Sequence, residues 1–253
     1  MVSGREATVE AKEFVNCYQD TKRAEAYAKL EFAGTYYLAY RDLPEIFAEH
    51  VKGKEAIDFG CGTGRSTRFL RDHGFHVTGV DISEDMIRKA RQVSPDGDYR
   101  LIEDGNFRQF QRGAYDLVLA AFTFDNIATM EKKVRVFQEF RSLLNPEGRI
   151  VMVVSSPEIY LHEWASFSTK DFPENRLATS GDVVRIIVTD HEDRRPVEDI
   201  VWTDEAYREV FGKAGLAVVQ SYKPLAKGDE PYAWVSETTV APWVTYVLRT
   251  GNE

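Results

Sequence analysis

The sequence is poor in cysteine, in long apolar runs and in positive charge, and each shortage closes off a class of protein. Two cysteines in 253 residues, Cys17 and Cys61, stand far apart and make no metal-ligand spacing. Neither a structural disulfide nor a metal site is expected, because no compact set of His, Cys and carboxylate ligands occurs elsewhere. No apolar stretch approaches the roughly 20 residues of a membrane-spanning helix. The N-terminus, MVSGREATVEAKEF, is polar and acidic, unlike a secretory leader or an Arg-rich transit segment, which implies a cytoplasmic protein. Lys and Arg number 32 against 41 Asp and Glu, a formal net charge of −9. That balance argues against a nucleic-acid partner, whose phosphates call for a basic face. Internal repeats and low-complexity tracts are absent as well.

What is present is an ordinary globular composition, 43% hydrophobic and 29% charged, in a chain long enough to bury one large core. From Glu55 short apolar strands alternate with amphipathic helices. EAIDF, FHVTGVD, YRLIE, YDLVLAAF and RIVMVVSS read as strands. RSTRFLRDHG reads as a helix closed by Gly74, and SEDMIRKARQV as one capped by Ser83 with Met86, Ile87, Ala90 and Val93 on its buried face. TMEKKVRVFQEFRSLL carries Val134, Phe137, Phe140 and Leu144 on one stripe, and NPEG after it has the composition of a type I turn. This rhythm predicts an α/β, doubly wound, mainly parallel sheet with helices on both faces.

The rhythm breaks after Ser156. An irregular aromatic stretch is followed by VVRIIVTD and PVEDIVWT, which read as a hairpin with HEDRR at its tip. The helix DEAYREVFGKAG and the strands LAVVQSYKPL and WVTYVLRT then complete the sheet. Two apolar helical stripes precede the core, the second interrupted by Pro44. We read 1–253 as one domain: a helical cap over 1–50, a core over 51–155, a substrate-side insertion over 156–203 and the end of the core sheet over 204–253.

In such a sheet ligands bind beyond the carboxyl ends of the strands, so AIDFGCGTGRST lies in a crevice. Its glycines, Gly60, Gly62 and Gly64, fall at every second position. Arg65 stands where a dinucleotide loop would place its third glycine, and the Gly-Lys-Ser/Thr of a triphosphate loop is missing. Cys61 within it reads as a small neutral side chain. Asp81 ends the second strand, where a carboxylate can accept both hydroxyls of a ribose, and Asp104 ends the third, where one can accept a base amino group. A nucleoside without phosphates fits this set better than a dinucleotide.

AIDFGCGTGRST, VTGVDISEDMI, IEDG, YDLVLAAF and LLNPEGRIVMVV, in this order, resemble the motifs of class I S-adenosylmethionine-dependent methyltransferases. The resemblance implies a seven-stranded sheet whose last strand is antiparallel, with S-adenosylmethionine as cofactor and S-adenosylhomocysteine as product. It places Asp58, Gly60, Gly62 and Gly64 at the methionine end, Asp81 at the ribose and Ile82 against the adenine. Asp104 and Gly105 meet the base edge, Ala121 and Phe122 lie next to the sulfonium, and Tyr18 and Met86 join the cofactor site. NPEG departs from the commoner Lys-Pro-Gly-Gly but keeps the proline and the second glycine.

The acceptor is less legible, because methyl transfer mainly requires alignment and exclusion of water. FTFDNI lacks the Asn/Asp-Pro-Pro-aromatic run of enzymes that methylate amides or adenine amino groups. Asp125 within it reads either as a group that orients or deprotonates an acceptor or as a helix N-cap. His162 reads either as a base or as a structural histidine. Tyr36, Tyr37, Asn126, Tyr160 and Trp164 are candidates to contact a flat aromatic or heteroaromatic small molecule, or to pack cap against core. FDNI, SSPEIYLHEWASFSTKDFP and APWVTYVL are also similar to toxoflavin-biosynthesis N-methyltransferases, which implies methylation of a ring nitrogen. Other small-molecule N- or O-methyltransferases fit the core equally. The competing readings are a protein of this fold that binds the cofactor without transfer, and a nicotinamide-dependent oxidoreductase. The oligomeric state, monomer or homodimer, is open.

Overall fold

The computed structural model describes residues 32–251, apart from 104 and 191. Ten strands occur in the described residues: β1 (Glu55–Phe59), β2 (His76–Asp81), β3 (Asp98–Leu101), β4 (Tyr115–Ala121), β5 (Leu144–Ser155), β6 (Phe167–Ser168), β7 (Val183–Val188), β8 (Val197–Ile200), β9 (Leu216–Tyr222) and β10 (Trp243–Thr250). Seven form one sheet in the order β3-β2-β1-β4-β5-β10-β9, and β6-β7-β8 form a second, smaller one. β1 through β5 pair in parallel, whereas β10 is antiparallel to both β5 and β9. The chain runs outward from β1 to β3 and then returns to β4 on the other side of β1. That reversal opens a crevice beyond the carboxyl ends of β1 and β4.

The helices are α1 (Thr35–Arg41), α2 (Leu43–His50), α3 (Arg65–Asp72), α4 (Glu84–Val93), α5 (Met130–Leu143) and α6 (Asp204–Lys213). Ile57, Val118, Leu119, Ile150 and Val151 are wholly buried, as central strands are when helices cover both faces. Each contributes on the order of 1.5–3 kcal/mol by leaving water. Hydroxyls cap three helices: Ser83 accepts from the Met86 amide, Thr129 from Lys132 and Thr203 from Ala206, each worth about 1 kcal/mol.

Several local expectations change. The stripe around Pro44 does split into two helices, but the break falls at Asp42, and Pro44 lies in the first turn of α2, where its missing N–H costs nothing. NPEG is not a separate turn. It belongs to β5, as a bulge between the pairs Tyr115–Leu144 and Leu117–Arg149, with the Asn145 amide donating to Asp116 at 2.6 Å. On α4, Val93 is 53% exposed, because it lies at the helix end beyond the sheet. On α5 the stripe is rotated. Val136, Phe137, Phe140 and Leu143 are buried, Val134 is only partly so, and Lys133 is wholly buried. The ammonium of Lys133 donates to the Phe124 carbonyl and lies 4.8 Å from the Trp202 ring, so a charged side chain occupies a position that periodicity gave to solvent.

The small sheet is joined to the core through Glu237, which is wholly buried. Its carboxylate accepts from the Thr35 hydroxyl at 2.6 Å, the Ala165 amide at 2.7 Å and the Val235 amide at 2.8 Å. The start of α1, the residue Ala165 just before β6 and the segment before β10 thus share one carboxyl group.

Candidate functional site

The loop after β1 is shaped by glycines in left-handed conformations. Gly60 has φ +70°, and a Cβ there would lie 2.3 Å from the Thr123 hydroxyl oxygen, so the backbone closes onto the end of β4. Gly62 has φ +53° and nothing within 4 Å of where its Cβ would be, which leaves open space above bare backbone. Beneath the loop Asp58 is wholly buried. Its Oδ2 accepts from Ser66 at 2.7 Å and Thr67 at 2.6 Å, while its Oδ1 has no partner among the described residues. Burial pushes its carboxyl up to about 6. Gly64 begins α3 and is pressed against the Tyr99 ring.

At the end of β2, Asp81 accepts from the Gly62 amide and the Ser83 amide, both at 2.9 Å. The carboxylate therefore ties the glycine loop to the start of α4. Burial raises its pKa, and backbone donors oppose the rise. Ile82 beside it is 48% exposed, an apolar side chain left free for a ring to cover. Beyond β4 the chain strains: Phe122 has φ +64°, the one non-glycine residue with positive φ among those described. An aromatic residue held there marks a position fixed by its surroundings, here the rings of Tyr36 at 5.7 Å and Trp243 at 4.8 Å.

Apart from Asp58 and Gly64, which lie outside its lining, these features open on one cavity of about 790 Å³, in the upper part of the range of roughly 300–1,000 Å³ for small-molecule sites. Gly60, Gly62, Asp81, Ile82, Met86 and Ala121 line one end. The other end has walls from Tyr36, Phe122, Phe167 and Trp243 and a floor of polar groups from Asp125, Asn126, Ser155, Tyr160 and Asp199.

The floor is tightly organised. Asp125 lies in a 3₁₀ turn (Thr123–Asn126), not at a helix N-cap, since Thr129 caps α5. Its carboxylate accepts from the Ser155 amide at 3.1 Å and the Ser155 hydroxyl at 2.9 Å. Burial raises its pKa and lowers that of Lys133 behind it, while their opposite charges resist both shifts. The Tyr160 hydroxyl donates to Asp199 at 3.1 Å, and burial together with the Asp125 charge raises Asp199. The Asn126 amide nitrogen reaches the Phe122 carbonyl at 3.5 Å, whereas its Oδ1 is buried without a partner among the described residues.

Other candidate residues fall elsewhere. Tyr18 and Asp104 lie outside the described residues. Gly105 has φ +68° with open space around it, away from the cavity lining. His162, expected to face the crevice, is outside the lining, half-exposed and paired with Glu158 at 3.1 Å. The 3₁₀ turn Pro157–Tyr160 buries Tyr160, and the chain has turned outward two residues later. Trp164 is buried but outside the lining, donating to the Ile159 carbonyl at 2.8 Å. Tyr37 packs on Tyr232 at 5.3 Å, also outside. Among the lining residues that escaped the sequence reading are Ser155, Asp199 and Trp243. For Asp199 a signal existed, because Val197, Asp199 and Val201 share one side of an extended chain and both valines are buried. Among the described residues no group of three or more His, Cys, Asp or Glu is placed to hold a metal ion, and no helix is long and apolar enough to cross a membrane.

Comparison with known proteins agrees with this geometry. Residues 57–152 match the methyltransferase domain family. A methyltransferase of Geobacillus sp. strain WCH70 is 33% identical over 114 residues, which cover 44% of this chain and 52%, about half, of that relative. Trans-aconitate 2-methyltransferase of Escherichia coli K12 is 26% identical over 193 residues, 74% of this chain and 68% of the other. An S-adenosylmethionine-dependent methyltransferase structure from Clostridium acetobutylicum shares the fold with a TM-score of 0.63 at 15% identity, covering 94% of this chain and all of that one (100%). With the sheet order and the ordered motifs along β1 to β5, these findings show a methyltransferase domain over residues 57–152 within the class I S-adenosylmethionine-dependent methyltransferase fold, for which S-adenosylmethionine is the expected methyl donor.

Proposed function

We propose that this chain transfers a methyl group to a nitrogen or oxygen atom of a small, flat, largely apolar metabolite. The carrying observation is that one cavity joins the glycine loop and Asp81 to an aromatic chamber with a buried carboxylate, Asp125, on its floor. The residues present suit the methyl donor. The bare backbone at Gly62 would receive its amino-acid end with the Asp58 anion below, Asp81 its ribose hydroxyls, and the exposed face of Ile82 its adenine ring. When bound, S-adenosylmethionine supplies a methyl group on a positively charged sulfur, whose carbon–sulfur electron pair stays on sulfur as the acceptor's lone pair takes the carbon.

The chain's own part is alignment, exclusion of water and handling of the proton. Tyr36, Phe122 and Trp243 wall the chamber and hold a ring between them. Asp125 takes the proton that an N–H or O–H acceptor loses, since burial brings its pKa toward neutrality, where a general base works best. Ser155 holds that carboxylate by two donors. Trans-aconitate, for which the Escherichia coli relative is named, is an anion. It suits this chamber poorly, because among the described residues the one Lys or Arg in the lining is Lys132, against five carboxylates.

The test incubates the chain with methyl-labelled S-adenosylmethionine and a panel of heteroaromatic amines, phenols and trans-aconitate, read by mass spectrometry. Label is expected in a heteroaromatic or phenolic product, and Asp125→Asn is expected to lower kcat by roughly 100-fold or more. Binding of S-adenosylhomocysteine without transfer to any acceptor would favour a cofactor-binding protein. An unchanged kcat in the variant removes Asp125 from proton handling.

A further inference from the structure

We infer that the acceptor end of the cavity selects its substrate by N–H groups, so that the natural acceptor is a neutral or cationic nitrogen compound, an amine, amidine or amino-heterocycle, with Asp199 as the residue that sets this specificity. The inference rests on the methyltransferase reading above and narrows its substrate class.

Asp199 is 9% exposed, on β8, and its remaining surface belongs to the cavity lining. Among the described residues Tyr160 is its one hydrogen-bond donor, to Oδ2, which leaves Oδ1 without a protein partner. An ionised carboxylate accepts at both oxygens, and burial without a donor carries a desolvation cost. The same deficit recurs beside it, where Asn126 keeps a buried Oδ1 without a partner. Asp125, on the adjoining turn, has Ser155 as its donor. The floor is therefore supplied with acceptors and short of donors.

Nothing in the lining reverses that balance. Asp81, Glu84, Asp85, Asp125 and Asp199 line the cavity, while among the described residues Lys132 is its one ammonium and is solvent-exposed. Lys133 is occupied behind Asp125 by the Phe124 carbonyl and is not in the lining. A carboxylate placed here would face the Asp125 charge and could be held only by an Asp199 that keeps its proton, which is discrimination by repulsion as well as by attraction. A planar N–H cation brings both the missing donors and the opposite charge, and the aromatic walls suit its flat faces. Its charge also draws Asp199 back to the ionised form that burial opposes.

The test uses two probes of one shape and opposite charge, benzamidine and benzoate, titrated calorimetrically into the chain saturated with S-adenosylhomocysteine. Benzamidine is expected to bind at least ten-fold more tightly than benzoate in the wild-type protein. Asp199→Asn should weaken benzamidine at least ten-fold with the S-adenosylhomocysteine Kd unchanged, which also shows that the variant is folded. Benzoate binding as tightly as benzamidine to the wild type overturns the inference without needing any variant. So does an unchanged benzamidine Kd in Asp199→Asn. Failure of S-adenosylhomocysteine to bind the wild type is a different result, since it strikes the methyltransferase reading itself.

Discussion

The two ends of the cavity are built by different means. The end assigned to the methyl donor is made of backbone: Gly60 and Gly62 bend one loop, and Asp81 pins it through the Gly62 amide. The acceptor end is made of side chains drawn from six separated places, Tyr36, Asp125, Ser155, Tyr160, Asp199 and Trp243. A site of backbone depends on a short stretch being bent one way. A site of side chains depends on the whole fold bringing distant residues together, and it can be altered one residue at a time. The first end should therefore fail together with the local fold, and the second should change its ligand while the fold persists.

The largest effect expected is at the backbone end. Gly60→Val puts a β-branched residue at φ +70° and sets its Cβ against Thr123. Left-handed strain costs on the order of 1–3 kcal/mol, and the collision adds to it. S-adenosylhomocysteine affinity should fall at least 100-fold by calorimetry, with a lowered Tm. If the variant binds the product normally, the loop is not a rigid cradle and the contrast between the two ends collapses.

This contrast also explains what could be read from the sequence. The sheet and its mainly parallel order were legible because strands buried on both faces are apolar runs that alternate with helices, whereas the antiparallel last strand was implied only by the family resemblance. Lys133 was not legible. Periodicity counts charge as solvent-facing, and only the tertiary structure supplies the Phe124 carbonyl and the Trp202 face that receive the ammonium. Asp199 was hidden for a similar reason: its neighbour in alternation showed a buried face, but a carboxylate on that face has meaning only beside Tyr160 and Asp125. His162 differs in the opposite way: its neighbours point toward the crevice, but the turn at Pro157–Tyr160 buries Tyr160 and leaves the histidine half-exposed, paired with Glu158 outside the lining.

Asp81→Ala gives the next effect in size. The change removes the proposed ribose acceptor and also frees the Gly62 and Ser83 amides. S-adenosylhomocysteine should bind ten-fold more weakly or worse, on the order of 1.4 kcal/mol. The loss stays below that at Gly60, because the glycines keep their bend without the carboxylate. A Kd equal to wild type would take Asp81 out of the site and leave the loop to stand alone.

The smallest effect separates the ends by pH. Asp199 ordinarily titrates near 3.8, and burial with the Asp125 charge raises it to about 8 in the folded chain. The folded state then holds this proton more tightly than the unfolded one. The stabilisation is complete below about pH 4 and is lost as pH rises through about 8. Asp125 acts in the same direction below neutrality, whereas Lys133, pushed down by burial, stabilises as pH rises above neutrality. Asp199→Asn isolates the first contribution. Each ten-fold gain in proton affinity on folding corresponds to about 1.4 kcal/mol, and water entering the cavity reduces the sum, so a difference of about 1 kcal/mol is expected. In urea unfolding without ligand, the wild type should lose about that much more stability than the variant between pH 5 and pH 8. Parallel curves would mean that Asp199 is already ionised and hydrated at neutral pH. The acceptor end would then be as open to solvent as the rim around Ile82, and the asymmetry between the two ends would disappear.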